Sequence, residues 1–483
     1  MPEARLREFL PNMRELAVLF GARGLACVAA WRSGFRALSD DDYARISIAQ
    51  RFAQEPHFDP TGTSWLPAPF WTYGAAFRVF GTGMSVARTL AIALSLLATV
   101  LVYVAARVLG TSRLAAMIAA VLSCVLLPYS ALLGVAALPE VPCAALLLFA
   151  AATLAVNEPW LRTCGGVALL VASLSRYEAW PIALVCAAFC AWDALRQRHA
   201  AYLIGALLAV SGPVLWVVLG HHNHGDAWFF IGRVTAYRRA LGGYDIPLWR
   251  RLLEYPSALI WNALGLCLLL PLSFLLARKT RASDSPRYGR CAVALFGMLA
   301  FLMLGSVRDG VPTHHSARVL LPLWFLGCVI AGRESAREAT TQGRIGVVIA
   351  TMTTLPLWIR LASNEGFAQR ALELEAGNAA RMETKRDLAI DTTDYGYFAV
   401  QASFGTPLGT IVLDDHDPRR KKPPSESPFI STESLERALR ERHARYAVLT
   451  SAHAPLLAAS CDEIWRNPGF VLFRCPALAP PAS

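Results

Sequence analysis

The chain is short of charge for its length. Of 483 residues only 17% are Asp, Glu, Lys or Arg, while 55% are hydrophobic; ordinary globular domains carry about 25% charge. That shortage excludes a disordered chain and a string of ordinary soluble domains. Lysine is nearly missing. Only Lys279, Lys385, Lys421 and Lys422 stand among the 46 basic residues, and arginine supplies the rest. No GxGxxG, GxxxxGK[ST] or HExxH occurs, so nothing supports a Rossmann enzyme, a P-loop NTPase or a zinc protease. The 11 cysteines show neither CxxC nor Cys/His zinc spacing, which excludes a zinc ribbon and a disulfide scaffold. A soluble basic stripe interleaved with aromatics is also lacking, so the net charge of +11 does not point to nucleic acid.

What fills the chain is apolar runs. A bilayer span needs about 20 such residues, and candidates fall near 16–36, 86–108, 113–133, 141–156, 164–176, 178–195, 201–220, 256–277, 291–307, 317–332 and 345–361. The expectation is a polytopic α-helical membrane protein of about 11 spans. The remaining 121 residues hold 30 of the 81 charged side chains, so a transmembrane domain at 1–362 is followed by a soluble one at 363–483. In that tail GTIVLDD, ARYAVLTS and FVLFRC read as strands. A helix begins near Ser431 or Thr432 and runs to about Arg442, with a serine or threonine N-cap. The tail is therefore a small α/β domain.

Short connections rich in Arg and Lys belong on the cytoplasmic side. RKTRASDSPRYGR at 278–290, Arg196 with Arg198, and 333–344 are such connections. They place the N-terminus inside, in the inner (plasma) membrane, and the tail outside, in a periplasm for a bacterium. Cys461 and Cys475, the two cysteines of the polar tail, can pair there.

Chemistry-bearing residues gather in the segments expected outside. SDDDYARISIAQRF at 39–52 puts Asp40, Asp41 and Asp42 at the start of an amphipathic helix expected to lie on the bilayer through Ile46, Ile48, Ala49 and Phe52. Acids at a helix start favour the macrodipole, and Tyr43 suits an interface. Equally, a carboxylate at the mouth of a membrane cavity can act as general base or metal ligand. HFDPTGTSWLPAPFWTYGAAFRVFG at 57–81 is rich in Trp, Pro and Phe; it reads as an interfacial belt or as a lid whose aromatic faces, Trp65 among them, stack on a substrate.

This order resembles the GT-C superfamily of membrane glycosyltransferases, in particular the protein O-mannosyltransferase and aminoarabinose-transferase clan. Members carry a first span, an external loop opening on an acidic pair, a horizontal helix and then a Pro/aromatic segment. Asp41 and Asp42 match the pair best, with Asp40 the alternative register, and WLPAPFW at 65–71 matches the Pro-rich segment without the His often found there. ALPEVP at 137–142 puts Glu140 where these families often carry another acid; a helix cap explains it as well. HHSARVLLP at 314–322, with His315 and Arg318, resembles a late external motif, and there the resemblance implies contact between Arg318 and a lipid phosphate, against simple snorkelling. SRYEAWP offers Arg176 and Glu178, either a functional pair at membrane depth or a staple for the turn. The loop at 221–255 adds Arg233, Arg238, Arg239, Arg250 and Arg251 beside Tyr237, Tyr244 and Trp249, a set fit for a phosphate head group or for anionic lipids in general. HHNHGD at 221–226 suggests zinc weakly, because adjacent histidines seldom face one ion.

The expected function follows. An integral-membrane glycosyltransferase moves a monosaccharide from a polyprenyl-phosphate donor to an acceptor hydroxyl on the outer face, with inversion, and resembles the mannosyltransferases. Asp41 is the expected base, with Asp42 or Asp40 next and Glu140 assisting. Arginine stabilises the departing phosphate. Its partners are the lipid-linked sugar, the bilayer and an acceptor that is protein, lipid or glycan. The reading assigns no definite cofactor, and the acidic loop leaves the need for a divalent cation open. A transporter or flippase with an acidic, arginine-lined path is the alternative, disfavoured because no paired repeats are visible.

Overall fold

A computed structural model describes residues 8–125, 127–263, 266, 285–311, 315–337, 367–413 and 427–476. The span expected at 345–361, much of that at 256–277, most of the basic connection at 278–290, most of 417–428, His314 and the 362/363 boundary lie outside these residues. The chain divides into two compact units, one of Met1–Gly34, Thr63–Ala68 and Ala91–Asn364, the other of Phe35–Gly62, Pro69–Leu90 and Glu365–Ser483.

The first unit is helical. Its elements are α1 (Met13–Arg32), α4 from Ala91 onward (whole helix Met84–Val108), α5 (Arg113–Val125), α6 (Pro128–Leu133), α7 (Glu140–Thr153), α8 (Pro159–Ser173), α9 (Ala179–Gln197), α10 (Ala201–His224), α11 (Phe229–Ala240), α12 (Leu248–Trp261), α13 (Ser285–Asp309) and α14 (Leu321–Arg337). Among the described residues five helices are long and apolar enough to cross a membrane, lying within Met84–Val108, Ala179–Gln197, Ala201–His224, Tyr288–Asp309 and Ser316–Ala336. The protein is thus mostly helical with candidate spans, and their number is five by this measure. The run at 113–133 is two helices rather than one span. Pro128 disfavours helical backbone in the residue before it and opens a new helix at its first position.

Small residues let these helices meet closely. A side chain on Gly166 would come within 2.7 Å of the Gly205 carbonyl, and one on Gly205 within 2.8 Å of the Arg162 carbonyl, so α8 and α10 touch backbone to backbone. Three arginines inside the unit have identifiable partners. Arg23, which interrupts the first apolar run, is fully buried and donates from Nε to Thr99 Oγ1 and from both Nη atoms to Ser130. Asp193 holds two more, Arg162 at 2.8 Å and Arg290 at 2.5 Å.

The second unit contains α2 (Asp40–Gln54), α3 from Pro69 (whole helix Ala68–Phe80), α15 (Ala371–Glu383), α16 (Tyr397–Phe404), α17 (Thr432–Glu441) and strands β1 (Leu388–Ile390), β2 (Thr410–Val412), β3 (Tyr446–Thr450), β4 (Asp462–Arg466) and β5 (Phe470–Arg474). The sheet order is β2-β1-β3-β5-β4. Strand β1 runs parallel to β2 and β3, while β5 is antiparallel to β3 and β4. Its two faces bury separate apolar clusters, one including Leu435, Leu439, Val471 and Phe473, the other Ala376, Ala380, Phe404 and Leu472. Ser431 caps α17 by accepting from the Ser434 N–H, as its sequence suggests. A Cys461–Cys475 disulfide brackets the β4–β5 hairpin.

Helix α2 differs from the expectation of a helix lying on the bilayer. Ile46 and Ala49 are buried inside the unit, and Gln50 Nε2 donates to the Thr82 and Ala402 carbonyls at 2.7 and 2.8 Å. Its apolar face is spent on protein.

Candidate functional site

The three consecutive aspartates occupy three environments in the second unit. Successive helical positions point about 100° apart, so neighbours cannot share one partner. Asp42 is fully buried, its Oδ2 2.9 Å from Arg88 Nη1. Asp40 accepts both arms of Arg370, Nε at 2.8 Å and Nη2 at 2.9 Å, and Arg370 also bonds Glu373 at 2.9 Å. Asp41, between them, is half-buried. Tyr43 is no interfacial residue: it is fully buried, and its hydroxyl donates toward the Ala368 and Gln369 carbonyls. Burial pushes the Tyr43 phenol well above its usual range, partly offset by Arg88.

In the first unit a second cluster forms where α7 and α9 begin and the segment around Arg318 passes. Arg176 forks onto Glu178, Nε to Oε2 at 3.1 Å and Nη2 to Oε1 at 2.6 Å. Its third arm meets Glu140 Oε1 at 2.5 Å. Arg318 Nε stands 3.5 Å from the same oxygen. Two carboxylates and two guanidiniums thus share one spot, and Glu140 is 3% exposed. Together with Cys143, Ala144, Leu147, Val319 and Pro322 they line a narrow cavity of about 10 Å³, room for roughly one water. Arg176 and Arg318 remain partly exposed, at 15% and 18% of the side chain. Tyr177, between the paired residues, anchors the turn: its hydroxyl donates to the Ser64 carbonyl at 2.7 Å and accepts from Trp216 Nε1 at 3.0 Å.

Other expected residues have different surroundings. The 221–255 segment holds two helices, and Arg238 and Arg251 donate to the Gly310 and Val307 carbonyls at the end of α13. Those two guanidiniums are engaged in docking α11 and α12. Arg233 is half-buried on α11, and Trp65 is half-buried with its backbone N–H on Thr63 Oγ1. His315 adopts a left-handed backbone and sits 3.4 Å from the Tyr129 hydroxyl. His221, His222 and His224 end α10 exposed, His224 stacking on Phe229. Among the described residues no three His, Cys, Asp or Glu side chains are grouped to hold a metal ion.

Sequence reading missed Arg88 and Arg370, the partners of Asp42 and Asp40. They lie 46 and 330 residues away, and no local pattern marks a contact over such distances. It also missed Asp391 and His453, 2.7 Å apart in the sheet domain.

No protein-family model matches the sequence, and no curated protein matches it. Solved structures do. ArnT from Cupriavidus metallidurans bound to undecaprenyl phosphate aligns with TM-score 0.58 at 15% identity, over 98% of this chain and 100% of that one. The apo state of the same protein aligns with TM-score 0.61 at 13% identity, over 95% and 98%. A more distant likeness, TM-score 0.48 at 14% identity over 91% of this chain and 69% of the other, is to the archaeal oligosaccharyltransferase AglB from Archaeoglobus fulgidus. The alignment with ArnT runs nearly end to end, and the chain therefore shares the fold of that protein.

Proposed function

We propose that the protein is a membrane glycosyltransferase that takes a monosaccharide from a polyprenyl-phosphate carrier and adds it to an acceptor hydroxyl outside the cytoplasm. The observation that carries this reading is the Glu140–Arg176–Glu178–Arg318 cluster, set in the helical unit of a chain with the ArnT fold. Charged groups are costly at membrane depth and persist there for function. The solved relative is itself bound to undecaprenyl phosphate.

The division of labour follows from chemistry. Outside the cytoplasm the energy for transfer resides in the sugar–phosphate bond of the lipid. When that bond breaks, negative charge collects on the departing phosphate, and a guanidinium matches it with two parallel donors. Arg176 already spends its fork on Glu178. Arg318, whose Nε stands 3.5 Å from Glu140 on a side chain 18% exposed, is assigned to the phosphate, which replaces the carboxylate as its partner. Glu140 holds the arginines apart and oriented until then. The acceptor hydroxyl must lose a proton as it attacks. Asp41, half-buried at the start of α2, is assigned as that base. Attack from the face opposite the phosphate inverts the anomeric centre. Disulfides persist in oxidising compartments, so the Cys461–Cys475 bridge supports an extracytoplasmic tail, an inner-membrane location and, with the arginine bias of the short loops, a cytoplasmic N-terminus.

The test is transfer itself. Purified protein is incubated with radiolabelled polyprenyl-phosphate hexose and membrane extract, alongside Asp41→Asn and Asp42→Asn. Label is expected to reach an acceptor with the wild type and to fall by about 100-fold or more with Asp41→Asn. Undiminished transfer by Asp41→Asn removes the base assignment. No transfer from any of several donors points instead to a transporter.

A further inference from the structure

The small sheet contains a second, separate arrangement of chemistry-bearing groups. Strands β1 and β3 lie side by side and parallel, but the chain leaving β1 returns in β2 on one side, while the chain leaving β3 goes on to β4 on the other. Connections that diverge in this way open a crevice beyond the carboxyl ends of the two strands, the place where open α/β sheets bind ligands.

That crevice is furnished. Asp391, the residue after β1, is fully buried in its side chain. Its Oδ1 accepts from the Thr393 N–H and hydroxyl, and its Oδ2 from the Thr450 N–H at 3.1 Å, the Thr450 hydroxyl at 2.7 Å and His453 Nδ1 at 2.7 Å. A carboxylate so surrounded accepts only, so Nδ1 carries a proton toward it. Nε2 has no hydrogen-bond partner among the described residues, on a side chain 25% exposed. One face of the ring lies on Phe429, centroids 4.6 Å apart and planes 9° from parallel. The imidazole is thus locked in orientation, the way a histidine is held when its far nitrogen meets a ligand. Beside it Thr393 and Asp394 are exposed and Tyr395 is half-buried, stacked on Phe398.

We propose that this crevice binds a neutral carbohydrate, one hydroxyl of which hydrogen-bonds with His453 Nε2. Asp391 and Asp394, the latter 3.8 Å from Arg370, give the crevice two carboxylates to one guanidinium and so disfavour phosphate and sulfate, Nε2 offers a hydrogen bond to a hydroxyl, and Thr393 and Tyr395 supply a hydroxyl and a flat ring of the kind sugars meet. The proposal stands independently of the transferase reading: glycan binding here is compatible with any chemistry in the membrane.

Full-length protein in amphipol, free of sugar-based detergent, is applied to an array of neutral, sulfated and phosphorylated glycans. Neutral glycans are expected to bind. His453→Asn keeps an N–H for Asp391 and deletes Nε2, so affinity is expected to drop about tenfold while the thermal unfolding transition stays in place. Asp394→Asn, on the exposed rim, provides a second variant and is expected to relax the rejection of sulfated glycans. The proposal is overturned if no neutral glycan binds, if charged glycans are preferred by the wild type, or if a folded His453→Asn binds like the wild type. Should His453→Asn fail to fold, unchanged selectivity in Asp394→Asn overturns it instead.

Discussion

Asp40, Asp41 and Asp42 differ in nothing but position, yet the fold gives each a separate fate. Asp40 is bound to Arg370 and Asp42 to Arg88, and Asp41 is half-buried between them. On the reading proposed here, Asp41→Asn abolishes transfer without loss of folded protein, whereas Asp42→Asn is expected chiefly to destabilise, because it leaves Arg88 buried without its carboxylate. The same logic applies to Arg176. Removing one partner of a buried pair costs about 3–5 kcal/mol, so Arg176→Ala, which removes the forked partner of Glu178 and one partner of Glu140, is expected to lower the unfolding temperature of the purified protein clearly; an unchanged transition would contradict the ion-pair account. Asp391 adds a pH dependence. Burial alone would raise its carboxyl, but hydrogen bonds from Thr393, His453 and Thr450 outweigh burial and hold it below the usual carboxylate range. A group depressed in the folded state stabilises above its unfolded pKa, about 3.9, and that contribution fades as pH falls below it. Stability of the sheet domain is therefore expected to drop below about pH 4, and Asp391→Asn to lose that part of the pH dependence. At this scale the sequence was only half legible. The acids, Arg176, Glu178 and Arg318 stand out because charge is rare in an apolar chain; Arg88, Arg370 and His453 do not, because their meaning lies in partners tens to hundreds of residues away.

Helices and strands were far more legible. Apolar runs mark α1, α4, α7 and α10 within a few residues, since a bilayer-length hydrophobic stretch has few other uses. The failures have local causes. Pro128 splits a run that hydropathy alone joins, and the two helices at 229–261 are too polar to register as spans. Strand β4, DEIWR, is too charged to read as a strand, and β1, LAI, is a three-residue apolar run set in a charged stretch. Two element-level outcomes are expected. Gly205→Leu pushes a side chain into the Arg162 carbonyl and is expected to separate α8 from α10, reducing the yield of folded protein in membranes; a normal yield and melting curve would count against the close crossing. Reducing the Cys461–Cys475 bridge, whose sequence separation is 14, is expected to cost the sheet domain about 3 kcal/mol, read as faster proteolysis of the hairpin under thiol.

For the whole molecule, the uneven spread of charge foretold an apolar helical portion and a polar α/β tail, and the order of motifs after the first span agrees with the fold shared with ArnT. What neither could show is that segments 35–62 and 69–90 belong to the same compact unit as the tail, since such association rests on tertiary contacts rather than on composition. The central claim is that the arginine-bearing cluster of the helical unit receives a lipid phosphate. Its most direct measurement is the binding of undecaprenyl phosphate to the purified protein by native mass spectrometry, with Arg318→Ala as the comparison. Tight, phosphate-dependent binding that falls about tenfold or more in the variant is the predicted result. Equal binding by both proteins, or no preference for the phosphorylated lipid over undecaprenol, would contradict it.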